Sequence, residues 1–295
     1  MPSIEQLDSH RKALTLNLDP STFGSFAEIG AGQEVARWFL IVGGASGTVA
    51  KTISAYDKEV SDDLYGAGSR YVSKQRLEAM LDNEWAQLRS QLDNTRGSHT
   101  RFFSFVDTVS ARNYAGTNDS HGWIGLRFQL EPGGPPNEFL LHINMRDPSN
   151  VLQQEAIGIL GVNLIYAAFY QIHTKESFLD GLAQEVVKER IEIDFVDFRG
   201  PAFAGWDRPA LLAHLVREGT RRGRVLLLHG RHCSPQRGSA QEGRCTCARI
   251  LRPRGSGSCA DSYAIADCRH SGASQGIGGD QLRADWHLLP LGGFA

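Results

Sequence analysis

The residues best placed to do chemistry in this sequence surround a glycine turn. Trp38–Val42 is an apolar run, Gly43-Gly44-Ala45-Ser46-Gly47 is the turn, and Thr48 to Leu64 follows helical spacing. Strand, glycine turn and helix start are the parts of an anion cradle, because free N–H groups and the helix dipole favour negative charge. On this reading Gly43, Gly44, Ser46, Gly47, Thr48 and Lys51 are the candidate phosphate-binding residues. The fit to a P-loop is incomplete. That loop needs its Lys directly after the last Gly, so that the amine reaches the β- and γ-phosphates. Lys51 lies four residues after Gly47, and GxGxxG spacing is absent. The competing reading, commoner for such motifs, is a tight turn whose glycines permit positive φ and close helix packing.

A second candidate is a polar sheet face. His142-x-Asn144-x-Arg146 places alternate side chains on one side of a strand. Arg127 and Gln129 on the preceding strand lie within reach of it, and Arg127 with Arg146 could hold a carboxylate or phosphate. Arg127, His142 and Arg146 are therefore candidate ligand-binding residues; the plain alternative is the water-facing side of an antiparallel sheet. Glu28, Gln33, Glu34 and Arg37 form a polar cluster before the glycine turn and read better as solvated i,i+4 pairs than as a substrate grip. Asp107, His121, Asp194 and Asp197 are acid/base candidates. Asp194 and Asp197 are three apart, so a regular strand points them to opposite faces. No HxH, HExxH or DxDxD spacing supports a metal site, no GxSxG elbow is present, and the sequence assigns no catalytic residue.

The elements that must position these groups follow from periodicity. Residues 1–20 read as a loosely held arm, and Phe26–Phe39 as a turn and a short helix. Ser73 caps a helix from Lys74 to Leu92, where Leu77, Leu81, Trp85, Leu88 and Leu92 recur at helical spacing. Arg101–Val109 is aromatic and β-branched and reads as a strand. Trp123–Leu130 and Glu138–Met145 alternate around a Pro132–Pro136 turn, which predicts an antiparallel hairpin. Val151–Ile172 and Phe178–Lys188 read as helices, Ile191–Phe198 as a strand, and Asp207-Arg208-Pro209 opens a last helix through Val216. The fold class predicted is α/β or α+β, with helices packed on a small mixed sheet containing an antiparallel hairpin.

The chain changes vocabulary near residue 219. All five cysteines (Cys233, Cys245, Cys247, Cys259, Cys268) follow it, while no Lys follows Lys188 and no Asn follows Asn163. Eleven arginines stand there against five acidic residues. A basic disordered tail, a metal or disulfide module and a frameshift would each explain part of this. Cys245-x-Cys247 is one residue short of a zinc knuckle and has no matching second pair. A frameshift explains the most. Codons permitted for Ser234–Arg244 can be read one base out of phase as Ala-Pro-Ser-Glu-Val-Leu-Arg-Lys-Lys-Ala-Val, which restores the missing lysines. The organisation predicted is a folded unit over 1–218, whose segment 191–218 could instead open a truncated second domain, and a disordered or out-of-frame tail over 219–295. The composition of the whole chain is ordinary for a globular protein, with 41% hydrophobic residues. A formal net charge of −2 over the whole chain gives no electrostatic reason to expect nucleic acid or an anionic membrane as partner. A polar N-terminal stretch unlike a signal peptide and a cysteine-free body suit the cytoplasm.

Four stretches, FAEIGAGQEVARWFLIVGGASGTVAKTISAYD, RYVSKQRLEAMLDNE, HGWIGLRFQLEP and QQEAIGILGVNLIYAAF, resemble a family of bacterial cytoplasmic proteins longer than this chain. Its members commonly carry the name nicotinate-nucleotide adenylyltransferase, and others the name TonB-dependent receptor. The second name does not suit a chain without a series of amphipathic barrel strands. The first implies transfer of an adenylyl group from ATP to a mononucleotide with Mg²⁺ as cofactor. In that family the shifted Pro-Ser-Glu-Val-Leu run precedes a Gly-Ser-Phe-x-Pro segment loosely like a phosphate-binding loop. This chain has no such segment, so the resemblance assigns no catalytic residue here. The alternative function is a non-catalytic module binding a small anionic ligand, a nucleotide among them, or a protein partner.

Overall fold

Phe102, Phe103, Phe105, Val106 and Val109 make Arg101–Ser110 apolar on both sides of its backbone, and all five are buried. A strand of that kind suits the middle of a sheet covered on both faces. In the computed structural model it is β3 of a six-stranded sheet ordered β2-β1-β3-β4-β5-β6. The other strands are β1 (Thr22–Ile29), β2 (Val49–Ile53), β4 (His121–Phe128), β5 (Asn137–Met145) and β6 (Ile191–Arg199). β2 and β3 run parallel to β1, while β3 through β6 are antiparallel neighbours. Residues 7–186 and 189–219 are described; the readings placed on the cysteine-bearing segment beyond 219 lie outside the described residues.

Helices α1 (Ser9–Asn17), α2 (Glu34–Ile41), α3 (Lys58–Tyr65), α4 (Lys74–Arg96), α5 (Asn150–Tyr166), α6 (Lys175–Ala183) and α7 (Arg208–Gly219) flank the sheet. Neighbouring residues of β3 show the layering. Val106 belongs to a core with Leu77, Met80 and Leu81 of α4 and Leu140 of β5. Phe105, one residue earlier and so on the other face, lies where a Cβ on Gly161 of α5 would touch it. Gly161 also abuts Val35 of α2, so α2 and α5 share that second face. The sheet is thus mixed α/β, with helices on both sides and the predicted β4–β5 hairpin in place. Asn150–Gln171 is long and apolar enough to cross a membrane, and most of it is buried against these elements.

Three local readings are corrected. Residues 1–20 are not a loose arm. Within them α1 buries Ala13, Leu16 and the Lys12 side chain, whose Nζ donates to Asn163 Oδ1 (2.6 Å) and Gln184 Oε1 (2.7 Å). Burial lowers the Lys12 pKa to about 8. Phe26–Ile29 is strand rather than turn, because β1 is enclosed by two neighbours. Thr48–Leu64 is not one helix. Val49–Ile53 pairs with β1 as an edge strand, and Asp57 caps a new helix by accepting from the N–H groups of Glu59 and Val60. The last strand, β6, joins this same sheet, and α7 follows it.

Candidate functional site

The glycine turn joins different elements from those its sequence predicts. Trp38–Ile41 ends α2, and β2 follows the turn, so Gly43 and Gly44 (φ +85° and +74°) sit at a helix C-terminus. That end carries the negative pole of the dipole. Part of the turn's hydrogen-bonding capacity is used locally. Gly47 N–H donates to Gly44 O, Thr48 N–H to Ala45 O, and Thr48 Oγ1 to Leu16 O. Asn17 Nδ2 donates to Phe39 O and Gly43 O, closing the helix end. Ser46 is exposed on the turn. Lys51 points elsewhere, with Nζ 2.7 Å from the buried Glu84 carboxylate and 3.0 Å from Gln87 Oε1. The strand–turn–helix premise of a phosphate cradle is therefore corrected; the geometry is a tight turn.

The polar sheet face separates into three places. Arg127 is held by Glu138 (2.6 Å) and Asp82 (2.7 Å), Arg146 by Glu192 (2.9 Å). Each guanidinium is already matched by carboxylate, so the two do not combine into an anion grip. Gln129 is spent on Phe102 N–H and Gly134 O at the hairpin turn. The upstream cluster also disperses. Glu28 is interior, Gln33 donates to Thr52 Oγ1, and Arg37 faces Glu34 at 3.7 Å.

His142 belongs to a different constellation. The β4–β5 register sets Trp123 opposite His142 and His121 opposite Asn144. His121 and His142 are thus diagonal neighbours, a separation side chains of this length can span. His121 Nδ1 lies 3.1 Å from His142 Nε2. On the other side His142 Nδ1 lies 2.5 Å from Asp194 Oδ1, and Asn144 Nδ2 donates to Asp194 Oδ2 at 2.8 Å. The β5–β6 pairing shifts here: Phe195 opposes His142 and Ile193 opposes Ile143, leaving Asp194 as the extra residue of a bulge. The bulge corrects the strand-parity argument. Asp194 meets His142 while Asp197 meets Lys74 of α4 at 3.2 Å, so both carboxylates serve the α4 side of the sheet. Trp123 backs the group, its ring 4.8 Å from His142 and 5.2 Å from Phe195.

The hydrogen-bond directions follow from chemistry. A neutral His142 donates its Nδ1–H to the Asp194 carboxylate, which leaves its Nε2 as an acceptor. His121 must then donate Nδ1–H to it, and His121 Nε2 is left with a lone pair that no described residue takes up. Burial, and next the neighbouring His142, lower the His121 pKa; Arg70 adds to this, and Asp119 and Asp194 oppose it. A neutral imidazole with one open basic nitrogen is a general base. When His121 Nε2 takes a proton, its Nδ1 proton can pass to His142 Nε2. The positive charge then rests on His142 against Asp194, as in other base–orienter pairs. Both His142 and Asp194 are largely shielded, with side-chain exposures of 17% and 23%, which strengthens that pairing.

Solved structures offer a likeness of fold. The competence/damage inducible protein CihA from Agrobacterium tumefaciens is 17% identical, covers 55% of this chain and 95% of its own, and has a TM-score of 0.39. A competence or damage-inducible protein from Enterobacter asburiae is 14% identical over 54% of this chain and 95% of that one, at 0.38. The competence damage-inducible protein A from Klebsiella pneumoniae is 11% identical over 55% and 94%, at 0.37. Neither a family model nor a curated protein sequence matches. At these values the likeness carries no functional argument, and the site must be read from its own atoms.

One buried group lies on the opposite face. Glu28 of β1 accepts from Val35 N–H and Ala36 N–H, both at 2.9 Å, and so caps α2 with its carboxyl. Asp107 of β3 is its register partner, accepts from Ile29 N–H at 3.2 Å, and keeps Oδ2 without a hydrogen-bond partner among the described residues. Burial pushes Glu28 up to about 7 despite those two N–H donors. Burial first, then the Glu28 charge, pushes Asp107 well above the usual carboxylate range. Asp107, an acid/base candidate from sequence, is fully enclosed and takes part in a structural pair. Among the described residues no group of three His, Cys, Asp or Glu side chains could hold a metal. His121, Asp194 and His142 were individually visible in the sequence; their joining was not. Counting outward from the Pro132–Pro136 turn would set His121 opposite Asp147 rather than Asn144, and nothing in the sequence announces the bulge that delivers Asp194.

Proposed function

We propose that this domain is a hydrolase of a small nucleotide-class molecule, with His121 as the general base that activates water. The observation that supports it is the Asp194–His142–His121 chain, which ends on a basic nitrogen with no hydrogen-bond partner among the described residues. Water is a poor nucleophile at neutral pH and gains from a positioned base, commonly by about 10²–10⁴-fold. Adenylyl transfer to a mononucleotide, the activity implied by the sequence resemblance, makes a weaker demand. Its attacking phosphate oxygen is already ionised, so the chain of imidazoles would have no proton to remove. The nucleotide class itself comes from that resemblance. His142 and Asp194 act as positioning residues through His121.

The test is hydrolysis by the full chain across nucleoside mono-, di- and triphosphates and pyridine mononucleotides. His121→Ala should lower kcat/KM by about 10²–10⁴-fold on whichever is cleaved. His142→Gln should move the acid limb of the pH profile as well as the rate, a result that a merely structural role would not give. An unaltered rate in His121→Ala would exclude the reading. A domain that is stabilised by nucleotides yet hydrolyses none of them would leave the non-catalytic binding module as its function.

A further inference from the structure

Tyr71 fixes the segment that enters α4 across the end of β3. Its backbone O accepts from Thr108 Oγ1 at 2.6 Å, its hydroxyl donates to Asp62 (2.9 and 3.0 Å), and the Arg76 guanidinium lies 4.8 Å over its ring. Thr108 is the register partner of Trp123, and the next residue but one on β3, Ser110, is the partner of His121. Arg70, joined to Tyr71, is therefore carried near His121, whose protonation it opposes. The other cations around it are matched. Arg76 pairs with Asp62 at 3.0 Å, Lys74 with Asp197 at 3.2 Å, and Arg146 with Glu192 at 2.9 Å. The Arg70 guanidinium is exposed and makes neither ion pair nor hydrogen bond among the described residues.

We propose that Arg70 binds the anionic group of the substrate, a phosphate monoester, and holds it beside His121. This rests on the reading of His121 as the base and names the chemistry that base is presented with. A guanidinium suits the task because its planar fork donates two parallel hydrogen bonds to a phosphate and stays charged at every working pH. The placement also has an electrostatic logic. A cation beside the base adds to the burial and the neighbouring imidazole that disfavour its proton, and a bound dianion offsets it and raises the affinity for the proton the base must take. The groups facing His121 are His142 on β5, Asp194 on β6, Asp119 before β4 and Arg70 before α4.

The experiment follows the His121 ring by NMR in the full chain, titrated with inorganic phosphate and with AMP, in wild type, Arg70→Met and Arg70→Lys. Phosphate should raise the His121 titration midpoint in wild type. Arg70→Met should raise the midpoint of the free protein and weaken binding of both probes by about tenfold or more, with Arg70→Lys between them. Arg70→Met binding both probes as wild type does would overturn the proposal. AMP bound without any response to inorganic phosphate would overturn it too, since the base or sugar would then supply the recognition. The two readings fail separately. Loss of hydrolysis in His121→Ala with undiminished binding in Arg70→Met removes only the anion site. Arg70-dependent binding with undiminished hydrolysis in His121→Ala removes only the base.

Discussion

Two sets of titratable groups meet across neighbouring strands of this sheet, and burial gives them opposite roles. Glu28 and Asp107 face each other in register on β1 and β3, fully enclosed, with both Glu28 oxygens committed to the start of α2. His121, His142 and Asp194 link β4, β5 and β6 on the α4 face, and their last nitrogen has no hydrogen-bond partner among the described residues. Enclosed acids cannot exchange protons with a substrate, so their coupling acts on stability. Half-enclosed imidazoles can, and the proposed role of theirs is chemical. The lesson is that a perturbed pKa identifies a reactive site only when an atom is left open to receive something.

The largest effect that would separate the two sets is catalytic. His121→Ala should cost about 10²–10⁴ in kcat/KM, while its thermal midpoint stays within a few degrees of wild type. A midpoint collapse with activity per folded molecule preserved would reverse the assignment. The second effect is structural. Glu28→Ala strands two buried N–H groups at the start of α2 and should destabilise by about 2–4 kcal/mol in urea unfolding. Destabilisation below about 0.5 kcal/mol would mean that the cap is not held by that carboxyl.

The third is a pH dependence with a definite sign. Glu28 holds a proton up to about 7 in the folded state, whereas an unfolded glutamate releases it near 4.5. Between those values the folded chain binds more protons, so this group's contribution to stability is present at low pH and is lost as pH rises through 7. Lys12 acts in a later window. Its folded pKa of about 8 lies below the unfolded 10.5, so the unfolded chain binds more protons there and stability recovers as pH climbs through it. Asp107→Asn should flatten the first slope, measured as urea midpoint against pH, and leave the second. A first slope unaltered in that variant would mean that the Asp107 carboxyl takes no part in it. The smallest effect belongs to the glycine turn. A Cβ on Gly47 would come within 3.0 Å of Asn17 O, so Gly47→Ala should cost about 1 kcal/mol or less and leave any response to phosphate unaltered. Loss of a phosphate response would return the turn to consideration.

Parts of this were legible in the sequence for plain reasons. Leu77, Leu81 and Leu88 repeat because α4 buries one stripe, and the β4–β5 alternation survives because the hairpin carries its own turn. β2 was not legible. Val49, Ile53, Tyr56 and Val60 recur at helical spacing, yet the first two lie in an edge strand and the last in α3. The strand pairing outweighed the spacing. α1 was missed because its anchor is a lysine, a residue that composition assigns to solvent. The glycine turn misled because its flanks are apolar in either architecture; only the identity of the elements decides the sign of the local dipole. The site was legible as single residues and illegible as a set, since its assembly depends on one extra residue in β6.

The most direct test of the central claim is the tautomer of His121, read from long-range ¹⁵N–¹H correlations in the full chain at a pH where the ring is neutral. Transmission from Asp194 through His142 requires the proton on Nδ1 and a bare Nε2. A proton found on Nε2, with Nδ1 accepting, would mean that the base points inward and that the chain of imidazoles does not serve a substrate.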